Sequence, residues 1–568
     1  MSMPSLLQLA LLVAVSSVMG AYMVEGRVKF MHYRMCSSGG LISRDTSLPK
    51  SVRLVSGERA LSKYRSKARP HVSTNPIFES TRFELNTKLR NRLHRLVRQE
   101  GIDSRRGWVR CFERFQLNSL IIGETEADVL LPTGCARSTA LLEKDLLLLE
   151  GMTAEKARSI ASTFSDDSQK ATRAIKARFS SQLLLHMNWG EVEMLKNAHN
   201  DHVSLRLKGG VDVKKVAYLQ QDHRVVTISG AHLRKLRSLW EANKISDATS
   251  EQGFHADLFS ILTRYQALEG KGWQAGTPDA VQACLQRHFG VFAEAFASPL
   301  NCYHPLYFSA FPDTDGAFGS CGSFFEFIEG EASSTTGGSY VANPPFCQYA
   351  MLRAIEGIRG CLDRAKRNAH ERGKQEPPLS FVVIVPAWGE GRDIRVIEGD
   401  DGEDKAFATL LENEAGADLH YPALMAHPYR TGHVLVPAEE HCYLDGFQHQ
   451  LTPPKVSAEK NKDEGSGEVK PAGEGGRLSW AQAKMASGNS DSSRFYRCAP
   501  FDTAVFFLQN KAGAKKWPLT AYKERKLRET WKAHTLHLHN QGEKPAKYTP
   551  RRYSSQSATP REEDEMAL

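Results

Sequence analysis

The sequence lacks the cysteine pattern of a disulfide scaffold or a zinc ribbon. Its ten cysteines are spread over 568 residues, and no two of them form a CxxC pair. Small disulfide-bonded domains carry cysteines at much higher density, and zinc ribbons carry them as closely spaced pairs. The distribution therefore argues against both classes and favours reduced thiols in an intracellular compartment.

Long hydrophobic runs are scarce as well. The mean hydropathy is -0.42, which argues against a polytopic membrane protein. One apolar segment, residues 6–18, ends in small residues near Gly20 and Ala21. It has the length of a signal-peptide core and is too short to span a bilayer comfortably, but no lysine or arginine precedes it. We expect a soluble protein in which residues 1–50 are a leader or a disordered start.

Basic residues outnumber acidic ones only slightly. The 74 lysines and arginines against 65 aspartates and glutamates give a net charge of +9, which favours a polyanionic partner such as RNA. Basic residues crowd into residues 53–114, where Phe83, Leu89 and Leu93 recur at helical spacing. This amphipathic helix can bind phosphates or present an ordinary solvated face. Helix-compatible sequence continues over 141–208 and 232–265, so we predict a basic, mostly helical domain over 51–275.

A strand followed by a rigid loop is predicted at residues 340–346, Tyr-Val-Ala-Asn-Pro-Pro-Phe. Tyr340 and Val341 favour extended backbone, and the two prolines end the strand. A helix is predicted over 347–367, and the β-branched run 379–385 is typical of a strand buried on both faces. This βαβ unit places Asn343 at the carboxyl edge of a sheet, where open α/β folds bind ligands.

The chemistry of this loop suits an adenine amino group. The Asn343 amide oxygen and a proline carbonyl can accept hydrogen bonds from an exocyclic amine, and the Phe346 ring can stack on a flat base. The alternative is an ordinary Asn-Pro-Pro turn. The surrounding motifs decide between the two interpretations.

Further elements complete the predicted organisation. Residues 291–297 are the expected first strand, closed by the turn at 298–301, and residues 504–508 supply the last strand. A Lys/Glu/Gly/Ser-rich segment over 453–493 has the composition of a disordered insertion. We predict an α/β domain over 276–520 and a polar tail over 521–568. The histidines at 427, 433, 441 and 449 fit no standard ligand spacing, so no metal is expected.

Several motifs occur together, in one order, and resemble a known family. They are Phe-Ala-Ser-Pro-Leu-Asn-Cys-Tyr at 296–303, Phe-Pro-Asp-Thr-Asp at 311–315, Phe-Gly-Ser at 318–320 and Asn-Pro-Pro-Phe at 343–346. Further matches are Arg-Tyr at 264–265, Gly-Trp-Gln at 272–274, Val-Pro-Ala-Trp at 385–388, His-Pro-Tyr-Arg at 427–430 and the segment 503–510. The region 232–519 resembles the phosphorylated-CTD-interacting factor family, the cap-specific adenosine N(6)-methyltransferases.

The resemblance implies a Rossmann-like methyltransferase domain that uses S-adenosylmethionine and packs on a helical domain. The family's substrate is the adenosine beside the 7-methylguanosine cap of mRNA, usually already 2′-O-methylated. Carried over to this chain, Asn343 and the Pro344 carbonyl would hold the adenine amine, while Phe346 would stack on the ring. The matched residues for this loop are Asn343, Pro344, Pro345 and Phe346, and the candidates for RNA or cap contact are Trp388 and Arg430.

Cofactor contacts are expected in the turn after the first strand and in the acidic loop that follows it. The run 318–322 lies only about 25 residues before Asn343, less than a βαβ crossover of roughly 30, so it is not the loop after the first strand. An aspartate near that loop could bind ribose hydroxyls, with an Asx turn as the alternative. The predicted cofactor-binding residues are Ser298, Asn301, Asp313, Asp315, Gly319 and Ser320.

The chain departs from the family at its amino-terminal side. Animal members of the family carry a WW module, whose two tryptophans lie about twenty residues apart before a proline, whereas here Trp108 is the only tryptophan before Trp189. The resemblance implies capped mRNA as the partner. The phosphorylated C-terminal domain of RNA polymerase II stays open as a second partner, although binding through a WW module is not supported. A nuclear location is expected, with the cytoplasm, an organelle or secretion as alternatives.

Two other functions stay open at the level of sequence. Related Asn-Pro-Pro-aromatic loops also serve methylation of DNA adenine and of protein glutamine, so the acceptor could differ while the enzyme class stays the same. The third hypothesis is a catalytically silent RNA-binding protein that retains the fold. The intact Asn-Pro-Pro-Phe loop argues against it.

Overall fold

The structure is a computed structural model that describes residues 75–102, 107–122, 128–132, 134–178, 191–196, 202–208, 224–243, 250–268, 274–388, 419–438, 440–450 and 496–540, together with Leu61 and Tyr64. The expected leader over 1–50 and the expected insertion over 453–493 lie outside the described residues. Within the described ranges, no helix is long and apolar enough to cross a membrane.

Four helices form the amino-terminal part of the described chain. They are α1 (Pro76–Gln99), α2 (Gly107–Ile122), α3 (Ala136–Leu146) and α4 (Ala154–Arg178). Helix α1 begins where Asn75 accepts a hydrogen bond from a first-turn N–H and Pro76 occupies the first helical position. Its Leu89 and Val97 side chains are buried in a core shared with Phe112 of α2 and with α4. The amphipathic helix expected in this region is confirmed.

A three-stranded antiparallel sheet follows, where the sequence was expected to be helical up to residue 208. Strands β1 (Glu191–Lys196), β2 (His202–Lys208) and β3 (Val225–Ser229) pair in sequence order. In β2 the buried Val203 and Leu205 alternate with more exposed side chains, which is the period of a strand. The helix prediction was wrong there because the alternation is short and Leu, Lys and Arg are also good helix formers. Helices α5 (Gly230–Ala242) and α6 (Glu251–Leu268) come next.

A six-stranded sheet forms the other part of the molecule, and five of its strands run in the same direction. Its strands are β4 (Val291–Glu294), β5 (Leu306–Tyr307), β6 (Gly338–Ala342), β7 (Leu379–Pro386), β8 (Arg430–Val436) and β11 (Thr503–Gln509), in the order β5–β4–β6–β7–β11–β8. A separate ribbon pairs β9 (Cys442–Leu444) with β10 (Tyr496–Cys498). Strands β5, β4, β6 and β7 pair in parallel, and β11 is antiparallel to β7 and β8. The three strands predicted at 291–297, 379–385 and 504–508 are confirmed, the first ending at Glu294.

Helices cover both faces of this sheet. They are α7 (Asp279–Phe289), α8 (Pro312–Asp315), α9 (Phe324–Glu329), α10 (Glu331–Thr336), α11 (Gln348–Glu371), α12 (His420–Met425), α13 (Lys511–Lys516) and α14 (Ala521–Asn540), with short 3-10 turns at Gly316–Phe318 and Gln448–Gln450. Helix α11 packs on one face, and α7 and α14 pack on the other. Leu527 and Trp531 of α14 are fully buried. Residues 521–540 are therefore part of the core, and the polar tail expected over 521–568 was wrong for this portion.

The sheet has a topological switch point between β4 and β6. The chain first moves outward from β4 to β5 and then returns across β4 to add β6, β7 and the rest. At such a point the loops after two neighbouring parallel strands diverge and leave a crevice at the carboxyl edge. Asn343 directly follows β6, and α11 returns the chain to the parallel β7. The predicted βαβ unit, with Asn343 at its carboxyl edge, is confirmed.

Candidate active site

A small cleft lies at this switch point. Strands β4 and β6 supply its floor, while the segment before α7 and the turn after β4 supply its walls. The lining residues are Ala275, Gly276, Thr277, Gln282, Glu294, Phe296, Asn301, Val341 and Asn343. The cleft therefore joins the predicted cofactor turn and the Asn-Pro-Pro-Phe loop in one space.

Asn343 is held in the cleft by one end of its amide. Its Nδ2 donates to the Ala275 carbonyl at 3.2 Å. Its Oδ1 is buried and accepts no hydrogen bond from any described residue. Leaving a buried acceptor unpaired costs about 1–3 kcal/mol. An unpaired acceptor on a residue that lines a cleft suits recognition of an amine, because such a ligand can supply the missing hydrogen bond.

An aromatic cluster lies beside this loop. The Phe346 ring packs edge-on against Tyr443 at 5.6 Å, Phe501 at 5.8 Å and Trp388 at 6.4 Å between ring centroids. Trp388 also packs edge-on against Phe501 at 5.3 Å. Tyr443 is buried, whereas Phe346, Trp388 and Phe501 are partly exposed. The structure thus brings Trp388, a predicted substrate residue, next to Phe346 and offers aromatic surface on which a base can stack.

Glu294 and Gln282 are two candidate residues that sequence reasoning missed. Glu294 ends β4, and its Oε1 accepts hydrogen bonds from the backbone N–H groups of Tyr303 and His304 at 2.6 and 2.8 Å. Burial raises the pKa of this carboxyl to about 7. The Gln282 side chain is buried on α7, and its Oε1 has no hydrogen-bond partner among the described residues. An acidic residue closing an apolar strand was the available sequence signal for Glu294, whereas nothing marked Gln282.

The turn after β4 brings one predicted cofactor residue into the cleft and uses another to shape the backbone. Asn301 Oδ1 accepts from the Ser298 N–H at 2.7 Å and from its hydroxyl at 3.0 Å. Asn301 Nδ2 donates to the Gln274 carbonyl at 3.2 Å. Asn301 lines the cleft, and Ser298 is the buried residue that fixes its orientation.

The acidic loop at 313–320 has structural partners instead of a place in the cleft. Arg264 forms hydrogen bonds with both Asp313 carboxylate oxygens, at 2.9 and 3.2 Å. Asp315 is fully buried, accepts from the Tyr265 hydroxyl at 2.6 Å, and has its pKa raised by burial to about 7. These contacts tie the loop to α6. Ribose binding by Asp313 or Asp315 stays a prediction that this geometry does not favour.

The two small residues at the end of this loop also pack internally. Gly319 has φ +94°, and a Cβ there would meet the Asn243 side chain at 2.5 Å. The Ser320 hydroxyl lies 2.7 Å from that of Ser309. Neither residue is among those that line the cleft in the described chain, so the predicted cofactor contacts through Gly319 and Ser320 are likewise not supported.

Arg430 lies at the opposite edge of the sheet. It begins β8, which runs parallel to β7, so it sits at the amino edge while Asn343 sits at the carboxyl edge. The seven residues of β8 span roughly 20 Å at 3.3 Å per residue. The Arg430 Nε donates to the Met425 carbonyl at 2.9 Å. Strand direction thus separates Arg430 from Asn343, which the motif did not reveal, and the RNA or cap contact expected of Arg430 stays a prediction.

The histidines near residues 427–449 take structural roles where their contacts are known. His441 hydrogen-bonds to the Pro437 carbonyl at 2.8 Å and to the Thr503 hydroxyl at 2.7 Å. Among the described residues, no group of three or more His, Cys, Asp or Glu side chains is arranged to hold a metal ion.

The mostly parallel sheet, the cleft at its switch point and the polar-aromatic loop at the rim are consistent with the methyltransferase class of α/β proteins. Residues 235–399 match the family model described as Phosphorylated CTD interacting factor 1 WW domain. The matched range begins within α5 and includes α6, α7 and strands β4 to β7 of the central sheet. This part of the chain is therefore similar to the phosphorylated CTD-interacting factor family, as the motifs predict.

Two curated relatives are also similar to this chain. The mRNA (2'-O-methyladenosine-N(6)-)-methyltransferase of Mus musculus is 28% identical over 323 residues, which cover 56% of this chain and 34% of the relative. The protein of the same name from Homo sapiens is 32% identical over 240 residues, which cover 41% of this chain and 28% of the relative. The chain thus spans about a third of the length of the curated relatives it matches.

Proposed function

We propose that this protein methylates the N6 amine of the adenosine next to an mRNA cap, usually a 2′-O-methyladenosine, using S-adenosylmethionine. The observation that carries the proposal is the unpaired Asn343 Oδ1, buried at the carboxyl end of β6 beside partly exposed aromatic rings. The names of the two relatives supply the acceptor. The strand order, which reverses between β4 and β6, supports a Rossmann-like arrangement of the domain.

Positioning of the amine is the main task of the chain. The Asn343 Oδ1 and the Pro344 carbonyl accept its two hydrogens and so turn the nitrogen toward the methyl donor. The nitrogen lone pair is delocalised into the adenine ring, so holding it at a reactive distance and angle supplies much of the rate enhancement. The aromatic rings of Phe346 and Trp388 keep the base plane fixed and exclude water from one side.

The polar residues in the cleft fit S-adenosylmethionine, which supplies a methyl group on a positively charged sulfur when bound. The Glu294 carboxylate can accept hydrogen bonds from ammonium or hydroxyl groups and favours a cationic ligand. Gln282 Oε1 and the Asn301 amide add neutral acceptors and donors from two other sides. Each buried acceptor that lacks a partner gains one from such a ligand.

A transfer assay tests the proposal. The full chain is incubated with labelled S-adenosylmethionine and capped RNA whose first nucleotide is adenosine or guanosine. We expect label only on the adenosine RNA, and a loss of at least about 100-fold for Asn343→Ala, since small misplacements of reacting groups can cost that factor. Asn368→Ala on α11 is the matched control, because Asn368 contacts Ser334 away from the cleft.

Other results of this assay would indicate a different acceptor or would contradict the proposed activity. Equal labelling of both RNAs would show that adenine is not the acceptor. Label on DNA or on a glutamine-containing peptide, but not on capped RNA, would support a different acceptor. Failure to bind the cofactor would favour the silent RNA-binding protein.

A nuclear location accords with this function and is part of the proposal. Imaging of the full chain with a carboxyl-terminal fluorescent fusion tests it. Accumulation in the secretory pathway or in an organelle would contradict the expected access to capped mRNA.

A further inference from the structure

A short stretch near the carboxyl end of the described chain carries a strong local excess of positive charge. Residues 511–532 contain eight basic and two acidic residues, a net charge of +6 in a chain whose total is +9. The basic residues are Lys511, Lys515, Lys516, Lys523, Arg525, Lys526, Arg528 and Lys532. Such local excess, not the modest total, is the electrostatic pattern of a polyanion-binding surface.

Local ion pairs neutralise only part of this charge. Glu524 pairs with Arg528 at 2.9 Å, and Glu529 pairs with Lys526 at 2.9 Å. Lys532 pairs with Glu440 at 3.0 Å. In contrast, Lys511, Lys515 and Lys516 on α13 are exposed and have no carboxylate partner within the described chain. These three lysines are available to a ligand.

Tyr522 adds an exposed aromatic ring to the same surface. The Tyr522 side chain is 52% exposed, and few other large apolar side chains among the described residues are exposed to this degree. The Arg525 guanidinium carbon lies 5.9 Å from the ring centroid, and the Lys526 ammonium nitrogen lies 6.0 Å from it. The pKa of the adjacent His288 is lowered by burial and by the charges of neighbouring basic residues. An open ring surrounded by cations is a platform on which a base can stack while its phosphates are paired.

This surface lies at the amino edge of the sheet. Gly513 of α13 packs against Leu379, the first residue of β7, whereas β7 ends at Pro386 on the cleft side. The eight residues of β7 separate the two edges by roughly 25 Å. At 3.4 Å for each stacked nucleotide, about seven nucleotides are needed to reach from the cleft to Tyr522.

We propose that Lys511, Lys515, Lys516, Lys523 and Tyr522, which we call the Tyr522 surface, bind single-stranded RNA several nucleotides downstream of the methylated adenosine. The combination of unpaired lysines with an exposed ring favours RNA over an acidic peptide, which offers charge without bases. The identity of the RNA as substrate rests on the proposed function. The binding of RNA by this surface does not require that methyl transfer occurs.

The first test measures binding alone. Fluorescence anisotropy with an uncapped, unstructured 20-nucleotide RNA is followed without cofactor, for wild type and for Lys511→Gln/Lys515→Gln/Lys516→Gln. Removing three phosphate contacts is expected to weaken binding about 10- to 100-fold at 0.1 M salt and to lower the logarithmic salt slope by about 2. Arg158→Gln/Lys170→Gln/Lys176→Gln removes the same charge from exposed positions of α4 and is the matched control.

The aromatic contribution is tested separately. Tyr522→Ala is expected to weaken binding at least about fivefold, with little change in the salt slope, because base stacking is lost. Tyr522→Phe should bind like wild type. Equal weakening by the α4 control, or wild-type binding by Tyr522→Ala, would overturn the proposal, as would tighter binding of a phosphoserine peptide than of RNA at the same site.

A length series separates this inference from the proposed function. With short capped RNAs of three nucleotides, the lysine variant should match wild type in methyl transfer. With capped RNAs of 20 nucleotides, it should show a raised KM and an unchanged kcat. If methyl transfer occurs but its KM does not fall as the RNA is lengthened, the proposal for the Tyr522 surface is overturned and the proposed function stands. If RNA binding depends on the lysines and on Tyr522 but no methyl transfer occurs, the proposed function is overturned and the proposal for the Tyr522 surface stands.

Discussion

Replacement of Arg264 by leucine is expected to destabilise the protein strongly. The Arg264 side chain is fully buried and donates to Glu79 through Nε and Nη2 at 2.7 and 2.6 Å. It also donates to both oxygens of Asp313. Glu79 is itself 2% exposed, so the variant leaves a buried carboxylate with Arg82 as its remaining ionic partner. Helix α1, helix α6 and the loop at 313–320 all lose the residue that joins them.

The size of the loss in unfolding free energy depends on which ionic partner of Arg264 stays buried. Removing one member of a buried ion pair costs about 3–5 kcal/mol, because the remaining charge cannot be solvated. Asp313 is 39% exposed, and water can solvate it, so Asp313→Asn is expected to cost no more than about 1 kcal/mol. Urea unfolding followed by tryptophan fluorescence measures both variants. Arg158→Leu, which breaks an exposed pair with Glu143, is the surface control.

The order of effects is the critical result. We expect Arg264→Leu to lower the urea midpoint far more than Asp313→Asn, and Arg158→Leu to change it little. If Arg264→Leu unfolds at the same midpoint as Arg158→Leu, the buried network does not stabilise the contact between the helical region and the sheet, and the reasoning is refuted.

Three further predictions concern the cleft and the core. Burial raises the Glu294 pKa from 4.5 to about 7, so its protonated form stabilises the fold and that stability is lost as pH rises from 4.5 to 7. The loss is on the order of 3 kcal/mol, and Glu294→Gln should flatten the pH dependence of urea unfolding; an unchanged slope would contradict this. Trp388→Ala should raise the KM for capped RNA while Trp388→Phe largely preserves it, and equal KM values for both variants and wild type would exclude a stacking role. Trp531→Ala should cost about 3–5 kcal/mol in calorimetric or urea unfolding, against less than about 0.5 for exposed Tyr522→Ala; similar losses would mean that α14 is not part of the core.

The elements with the clearest local pattern could be predicted from the sequence. The continuous β-branched run became β7, and the double proline after Val341 ended β6 at Ala342, because both signals act within a few residues. The strand β2 was missed because its alternation is short and its residues also suit a helix. Helix α14 was mistaken for a tail because its core contacts depend on only a few apolar residues, chiefly Leu527 and Trp531.

The same distinction between local and long-range signals applies to the site residues. The position of Asn343 followed from local chain order, so it could be predicted. The location of Asp313 depends on Arg264, a buried partner 49 residues away, and the location of Arg430 depends on strand direction. A short sequence motif encodes neither. Gln282 lines the cleft because α7 packs beside β4, whereas Glu294 is the last residue of β4 itself.

The most direct test of the central claim is to identify the methylated nucleoside made by the full chain. Capped RNA beginning with 2′-O-methyladenosine is incubated with S-adenosylmethionine, digested to nucleosides and analysed by mass spectrometry. We predict N6,2′-O-dimethyladenosine from wild type and from Asn368→Ala, and at least about 100-fold less from Asn343→Ala. Methylation at another position, or the same yield from Asn343→Ala as from wild type, would contradict the claim that Asn343 holds the adenine amine for methyl transfer.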